Sequence, residues 1–148
     1  MIRLTQRILI DEDPKKVFSL ISDPSRYPEF FVGITRWKPM TRKKRGEGAR
    51  YRVLMAVGSI EAGGTVEVTR WEENVLITWR SVMGIDQRGR WEIYPTAEGT
   101  ELLLQIEFAL SGGPVGWMVE RLAGKTVARN MWASLLAARR LIELDPVA

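Results

Sequence analysis

Glu120 and Arg121 stand side by side on the flank of an apolar helical stripe, and they head a short set of side chains able to do chemistry in this 148-residue chain. The sequence contains no histidine and no cysteine. The commonest general base and metal ligand are therefore missing, together with thiolate nucleophiles, disulfides and Cys-bound zinc. Serine–histidine triads and histidine-ligated metals are excluded, and neither a metal nor a cofactor is expected. No paired-carboxylate spacing and no phosphate-cradling glycine loop occurs. Proton transfer would have to fall to a carboxylate of raised pKa or to Arg and Tyr hydrogen bonds. If Glu120 and Arg121 are buried, they must pair or meet a polar ligand group, because an isolated buried charge is costly. On a solvated helix edge they need do neither. Arg36 and Arg70 share the parity of apolar neighbours in their strands, which raises the same question for them.

The remaining candidates are aromatic or soft. Six tryptophans are many for this length. Trp79, Trp91 and Trp117 fall on phases that face inward, where an indole either fills core or walls a cavity for a flat apolar molecule. Tyr27 and Phe30, with Phe31, make a short connecting segment unusually aromatic, suited to packing a helix pair onto a sheet or to lining a cavity mouth. Tyr51, Val53, Met55 and Val57 share one strand face, and Met55 with Met131 offers an adaptable lining. Phe108 sits in the most regular alternation of the chain.

These side chains need elements to hold them. Ile2, Leu4, Ile8 and Ile10 alternate with Arg3, Thr5 and Arg7, which predicts a half-buried first strand. Asp13 and Pro14 supply an N-cap and a first helical residue, and Val17, Phe18 and Ile21 then share a face. A second short helix is expected over 26–31. Strands follow at 34–41, 50–57, 60–71, around Val75, Ile77 and Trp79, at 87–94, and through Leu102, Leu104, Ile106, Phe108 and Leu110. Tight turns separate them, among them Gly58-Ser59, and the basic run 42–45 lies at a hairpin tip. Gly63-Gly64 loosens the longest strand, the usual mark of a bulge or bend that lets a sheet curl. Residues 114–144 then read as one helix of roughly 45 Å at 1.5 Å per residue, or as a helix whose first third is separate or kinked near Gly124, since Met118 and Leu122 sit off its apolar stripe. Its inward stripe is Trp117, Gly124, Val127, Ala128, Met131, Leu135, Ala138 and Ile142. The expected architecture is α+β: a strongly curved antiparallel sheet facing one long helix, with Gly124 and Ala128 leaving room between them.

Length and the absence of any linker or repeat predict one domain over residues 1–148. No apolar run reaches membrane-span length, and the N-terminus enters alternation at once, so a cytoplasmic protein without signal peptide or stable membrane insertion is expected. The net charge of +4, with 16 arginines among 22 basic residues, is spread along the chain. No helix clusters Arg and Lys for a groove and no RNA-binding aromatic signature appears, so nucleic acid is not an expected partner. The sequence leaves a homodimer through exposed strand edges open.

Asp13-Pro14-Lys15-Lys16-Val17-Phe18, Ile21-Ser22-Asp23 and Tyr27-Pro28-Glu29-Phe30 occur in that order near the N-terminus. Gly46-Glu47-Gly48, Gly89-Arg90-Trp91-Glu92-Ile93 and Gly99-Thr100 follow, and then the long terminal helix. In this order and spacing the chain resembles the START / Bet v 1-like (SRPBCC) superfamily, in its polyketide cyclase/dehydrase and lipid-transport branch, over essentially its whole length. The resemblance implies a helix-grip fold with an elongated cavity for a hydrophobic molecule between sheet and terminal helix. Relatives include carriers, binding proteins and aromatase/cyclases. The residues expected near a ligand are Tyr27, Phe30, Tyr51, Met55, Trp79, Trp91, Phe108, Trp117, Glu120, Arg121, Gly124 and Met131. Binding of a lipid, quinone or polyketide-like molecule is the leading expectation, with an aromatase/cyclase or dehydratase as the alternative. Enlarging Gly124 to Leu is expected to close the cavity.

Overall fold

The computed structural model describes residues 1–57, 59–109 and 116–144, without the side chains of 57, 60 and 117. The expected turn residue Gly58, the strand residue Leu110 and the helix-opening Pro114 lie outside the described residues. Strand β1 (Ile2–Ile10) is followed by helix α1 (Pro14–Ile21), a 3-10 turn (Pro24–Arg26) and the short helix α2 (Tyr27–Phe30). Six strands come next: β2 (Ile34–Pro39), β3 (Arg50–Val57), β4 (Ile60–Glu72), β5 (Leu76–Gly84), β6 (Asp86–Thr96) and β7 (Gly99–Ala109). Helix α3 (Gly116–Leu144) completes the order.

All seven strands join one antiparallel sheet in the order β1-β7-β6-β5-β4-β3-β2. Helix α3 packs chiefly along β1 and also meets β7, β3, α1 and α2. This is the helix-grip arrangement. It follows from one apolar sheet face and one apolar helix stripe, each of which must be removed from water.

Local chemistry sets the boundaries. The Asp13 carboxylate accepts from the Lys16 amide at 2.9 Å, and Pro14 occupies the first turn of α1. Strand β2 stops at Pro39, two residues before the sequence pattern expects. The reason is Thr41, whose hydroxyl donates to the Lys43 carbonyl at 2.6 Å and accepts from the Arg50 amide at 3.2 Å, closing a turn. Where β4 crosses β5, Gly84 has φ +89°, and a Cβ there would lie 2.4 Å from the Gly63 carbonyl oxygen. The register of β4 shifts just beyond, between Thr65 and Val66, so the glycines do mark a bend.

The helix stripe holds for Gly124, Val127, Met131, Leu135, Ala138 and Ile142, all buried, while Ala128 is half-buried. Ser134 is also fully buried. Its hydroxyl donates to the Asn130 carbonyl at 2.6 Å and accepts from the Val32 amide at 2.8 Å, tying the segment after α2 to the helix. At the other end the Glu143 carboxylate accepts from the Asp11 amide at 2.8 Å.

Candidate functional site

The space between sheet and α3 is divided unequally. Toward α2 it is filled by rings. Tyr27 meets Phe30, Phe31 and Trp37 edge to face, with centroids 5.6, 5.4 and 5.0 Å away. Trp91 lies 5.4 Å from Phe31, and Trp37 meets Trp79 edge to face at 5.6 Å. Tyr27, Phe30, Tyr51, Trp79 and Trp91 are each buried in this assembly. Phe31 and Trp37 belong to it too, although neither was among the expected ligand residues. The signal for Trp37 was hidden by a register shift between Ile34 and Arg36, which resets the alternation of β2.

Hydrogen bonds fix the polar ends of these rings. The Tyr27 hydroxyl donates to the Ile21 carbonyl at 2.7 Å and accepts from Trp91 Nε1 at 3.2 Å. The Tyr51 hydroxyl donates to the Lys44 carbonyl. Burial pushes the Tyr27 phenol above its ordinary value, more than the Trp91 N–H holds it down. Tyr51 is raised for the same reason, against the pull of the Arg45 charge. Neither phenol is a base at neutral pH. Two buried indole donors, Trp37 Nε1 and Trp79 Nε1, have no acceptor among the described residues.

A phenol held neutral by burial links stability to pH. Below about pH 10 both folded and unfolded chains keep the proton, and the contribution is fully present; above it the unfolded chain releases the proton first, so stability falls as pH rises. Tyr27→Phe is expected to cost about 2–4 kcal/mol at neutral pH, because two buried partners lose their bonds. The variant should also show a shallower alkaline loss, since Tyr51 still titrates. Urea unfolding at neutral pH and between about pH 10 and 11 measures both. An unchanged alkaline slope would deny Tyr27 this role.

Toward the β5–β6 turn the space is not filled. A cavity of about 60 Å³ lies there, partly open to the exterior. Val53, Met55, Val66, Ile106 and Phe108 line it from the sheet, and Ala123 and Val127 from α3. Ser81 and Gln87 are its polar groups; the Gln87 amide donates to the Ser81 hydroxyl at 2.9 Å. A second void of about 10 Å³, walled by Phe31, Ile34 and Met131 among others, shares Met55, Ile106 and Val127 with the first. Met55 therefore stands between two chambers.

The expected ligand residues thus separate. Met55 and Phe108 line the larger chamber, and Met55 and Met131 the smaller. Gly124 is buried but faces β1, where its Cβ would meet Ile2 Cδ1 at 3.4 Å. Its neighbours Ala123 and Val127 are the helix residues at the cavity wall, so a Leu at Gly124 would press on β1. Glu120 pairs with the N-terminal amine of Met1 at 3.6 Å, and Arg121 is exposed. Arg36 and Arg70 are exposed as well. The Trp117 side chain lies outside the described residues. The basic run is mostly solvated, but Arg45 folds back, donating to the Ser22 hydroxyl at 2.9 Å with its guanidinium 5.7 Å from the Trp71 ring centre. Among the described residues no cluster of three acidic side chains capable of holding a metal occurs, and no helix is long and apolar enough to cross a membrane.

Comparison with known proteins meets this geometry. The family model for polyketide cyclase / dehydrase and lipid transport matches residues 1–143. Among solved structures, TTHA0849 of Thermus thermophilus superimposes with a TM-score of 0.83 at 18% identity, covering 95% of this chain and 97% of its own. The Zhui aromatase/cyclase of Streptomyces sp. R1128 gives 0.80 at 17% identity and 99% coverage of both chains. A START superfamily protein of Mycobacterium smegmatis gives 0.72 at 20% identity, covering 90% of this chain and 93% of its own. No curated protein matches. The sheet order, the gripped helix and the match along residues 1–143 lead to one assignment: the chain belongs to the polyketide cyclase/dehydrase and lipid-transport family.

Proposed function

We propose that this protein binds and carries a slender hydrophobic molecule, of lipid, quinone or polyketide-like character, in the space between the sheet and α3. One observation carries the reading: the chamber at Met55 is walled by apolar side chains from both elements, and Ser81 and Gln87 are the polar residues among its described lining. Such a surface gives up water readily and offers no acid or base to a reacting group. That favours carriage over catalysis. The alternative, an aromatase/cyclase or dehydratase, draws support from the likeness to the Zhui aromatase/cyclase. An enzyme of that kind needs a proton donor or acceptor near the bound chain. Here the two perturbed inner phenols, Tyr27 and Tyr51, donate to backbone carbonyls instead.

At about 60 Å³ the larger chamber is well below the roughly 300–1,000 Å³ of sites for drug-sized ligands. Occupation by anything longer requires the two chambers to merge, and Met55 is the flexible side chain between them. Trp37 pairs across the strands with Val53, a wall residue, and its indole N–H is buried with no acceptor among the described residues. A ligand oxygen reaching that donor would satisfy it, which favours a quinone or polyketide carbonyl over a plain acyl chain.

The test is titration with an apolar fluorescent probe, followed by its emission and by tryptophan emission. A saturable change in both, reversed by a competing quinone or fatty acid, is expected. Absence of saturable uptake for every lipid, quinone and aromatic compound tried would refute carriage, and conversion of a linear polyketide mimic to a cyclised product would favour the enzyme.

A further inference from the structure

The outer face of the sheet carries a second feature, unrelated to the chamber. Across the strands runs a row in register: Arg50, Glu67, Arg80, Arg88, Glu107 and Arg3. Glu67 is engaged by Arg50 at 3.4 Å and Glu107 by Arg3 at 3.0 Å. Arg80 and Arg88, directly opposite each other in the middle, are exposed and have neither an ion pair nor a hydrogen bond among the described residues. Like charges facing each other across a pair of strands cost stability, a cost that Glu67 opposite Arg80 and Glu107 opposite Arg88 offset only in part, since each glutamate is already engaged by another arginine.

The two arginines line a hollow of about 380 Å³ on that face, together with Arg90, Thr69, Thr78, Gln105 and the acidic Glu107. Thr69 reaches the hollow through the register shift between Val68 and Arg70, which inserts it as an extra residue. Its hydroxyl lies 2.6 Å from that of Thr78. In such a pair one O–H donates to the other oxygen, and the second is left to donate elsewhere. Arg90 is held by Glu92 and Glu107 by Arg3, so the uncompensated charge of the hollow is that of Arg80 and Arg88.

We propose that this hollow is a binding site for a phosphate group, with Arg80 and Arg88 as its two guanidinium clamps and the Thr69–Thr78 pair supplying a hydroxyl donor. Two planar forks of fixed charge match a tetrahedral dianion and relieve the mutual repulsion of the arginines when it binds. The group can belong to a soluble phosphate monoester or to a lipid whose headgroup is a phosphate monoester, such as phosphatidic acid; the chemistry at the arginines is the same.

The experiment compares thermal unfolding in sodium phosphate and in sodium chloride at matched ionic strength, for the native chain and for Arg80→Gln/Arg88→Gln. Phosphate is expected to raise the Tm of the native chain saturably, and the double variant should bind about tenfold more weakly or less. In chloride the double variant should melt at the same temperature or higher, because a repulsive pair has gone. If it fails to fold, Arg88→Gln alone serves the same comparison. Flotation with phosphatidylcholine vesicles, with and without phosphatidic acid, separates the sources. Arginine-dependent flotation assigns the phosphate to a headgroup, and soluble stabilisation without flotation assigns it to a monoester. If neither phosphate nor phosphatidic acid binds, or if the double variant binds as the native chain does, the hollow is only a solvated arginine face.

Discussion

Gly89→Ala is expected to destabilise the fold by about 3 kcal/mol or more, out of a total on the order of 5–15. Gly89 pairs with Trp79 across β5 and β6, and the indole occupies the space a side chain at residue 89 would need. A Cβ at residue 89 would sit 2.0 Å from Trp79 Cζ2 and 2.2 Å from Cε2, inside the ring's own van der Waals boundary. The ring has nowhere to retreat: Trp37 meets it edge to face, and Trp37 is itself stacked on Phe31 at 6.1 Å. A single methyl therefore propagates through three aromatic side chains. For a chain of this size the loss corresponds to a Tm drop of about 6–12 °C. A double-mutant cycle identifies the cause. Trp79→Leu removes the obstructing ring, so Gly89→Ala/Trp79→Leu should be less destabilised than the two single variants summed, by about 1 kcal/mol or more. Strict additivity would show that the methyl is tolerated and that the cost arises elsewhere.

The same pair of residues shows what the sequence could and could not convey. The alternation through Leu102, Leu104, Ile106 and Phe108 and the stripe through Val127, Met131, Leu135 and Ala138 placed sheet and helix correctly, because each depends only on period. The Asp13 cap was legible for the same local reason. Bulges were not: the shifts at Ile34/Arg36 and Val68/Arg70 reset parity, which is why Arg36 and Arg70 are exposed despite their apolar company and why Trp37 turns inward. Period also cannot tell a wall from a plug. Tyr27, Phe30, Trp79 and Trp91 were rightly placed inside, but whether such rings surround a space or occupy it depends on their summed volume and on Gly89 leaving room for one of them. Gly124 illustrates the finer limit, since one residue along a helix is 100° of rotation. That separates facing β1 from facing the chamber, where Ala123 and Val127 stand.

Val127→Phe should abolish probe uptake, weakening it by about tenfold or more, while leaving the fold as stable as before or slightly more so. Val127 borders both chambers and is buried, so a phenyl ring in its place projects into the void of about 60 Å³. Filling such a void recovers contacts worth about 1 kcal/mol at roughly 24 cal/mol per Å³, which offsets the strain of fitting the ring. Met55→Ala should act in the opposite sense on both quantities. Removing the side chain between the chambers joins them and costs about 2 kcal/mol, the low end for a partly buried methionine. The enlarged space should then accept longer or bulkier probes than the native protein does. A destabilised variant that binds better and a stable variant that binds worse cannot both result from general loosening of the structure. If both substitutions leave probe affinity unchanged, the ligand lies somewhere other than beneath α3, and the carrier reading falls with its chamber.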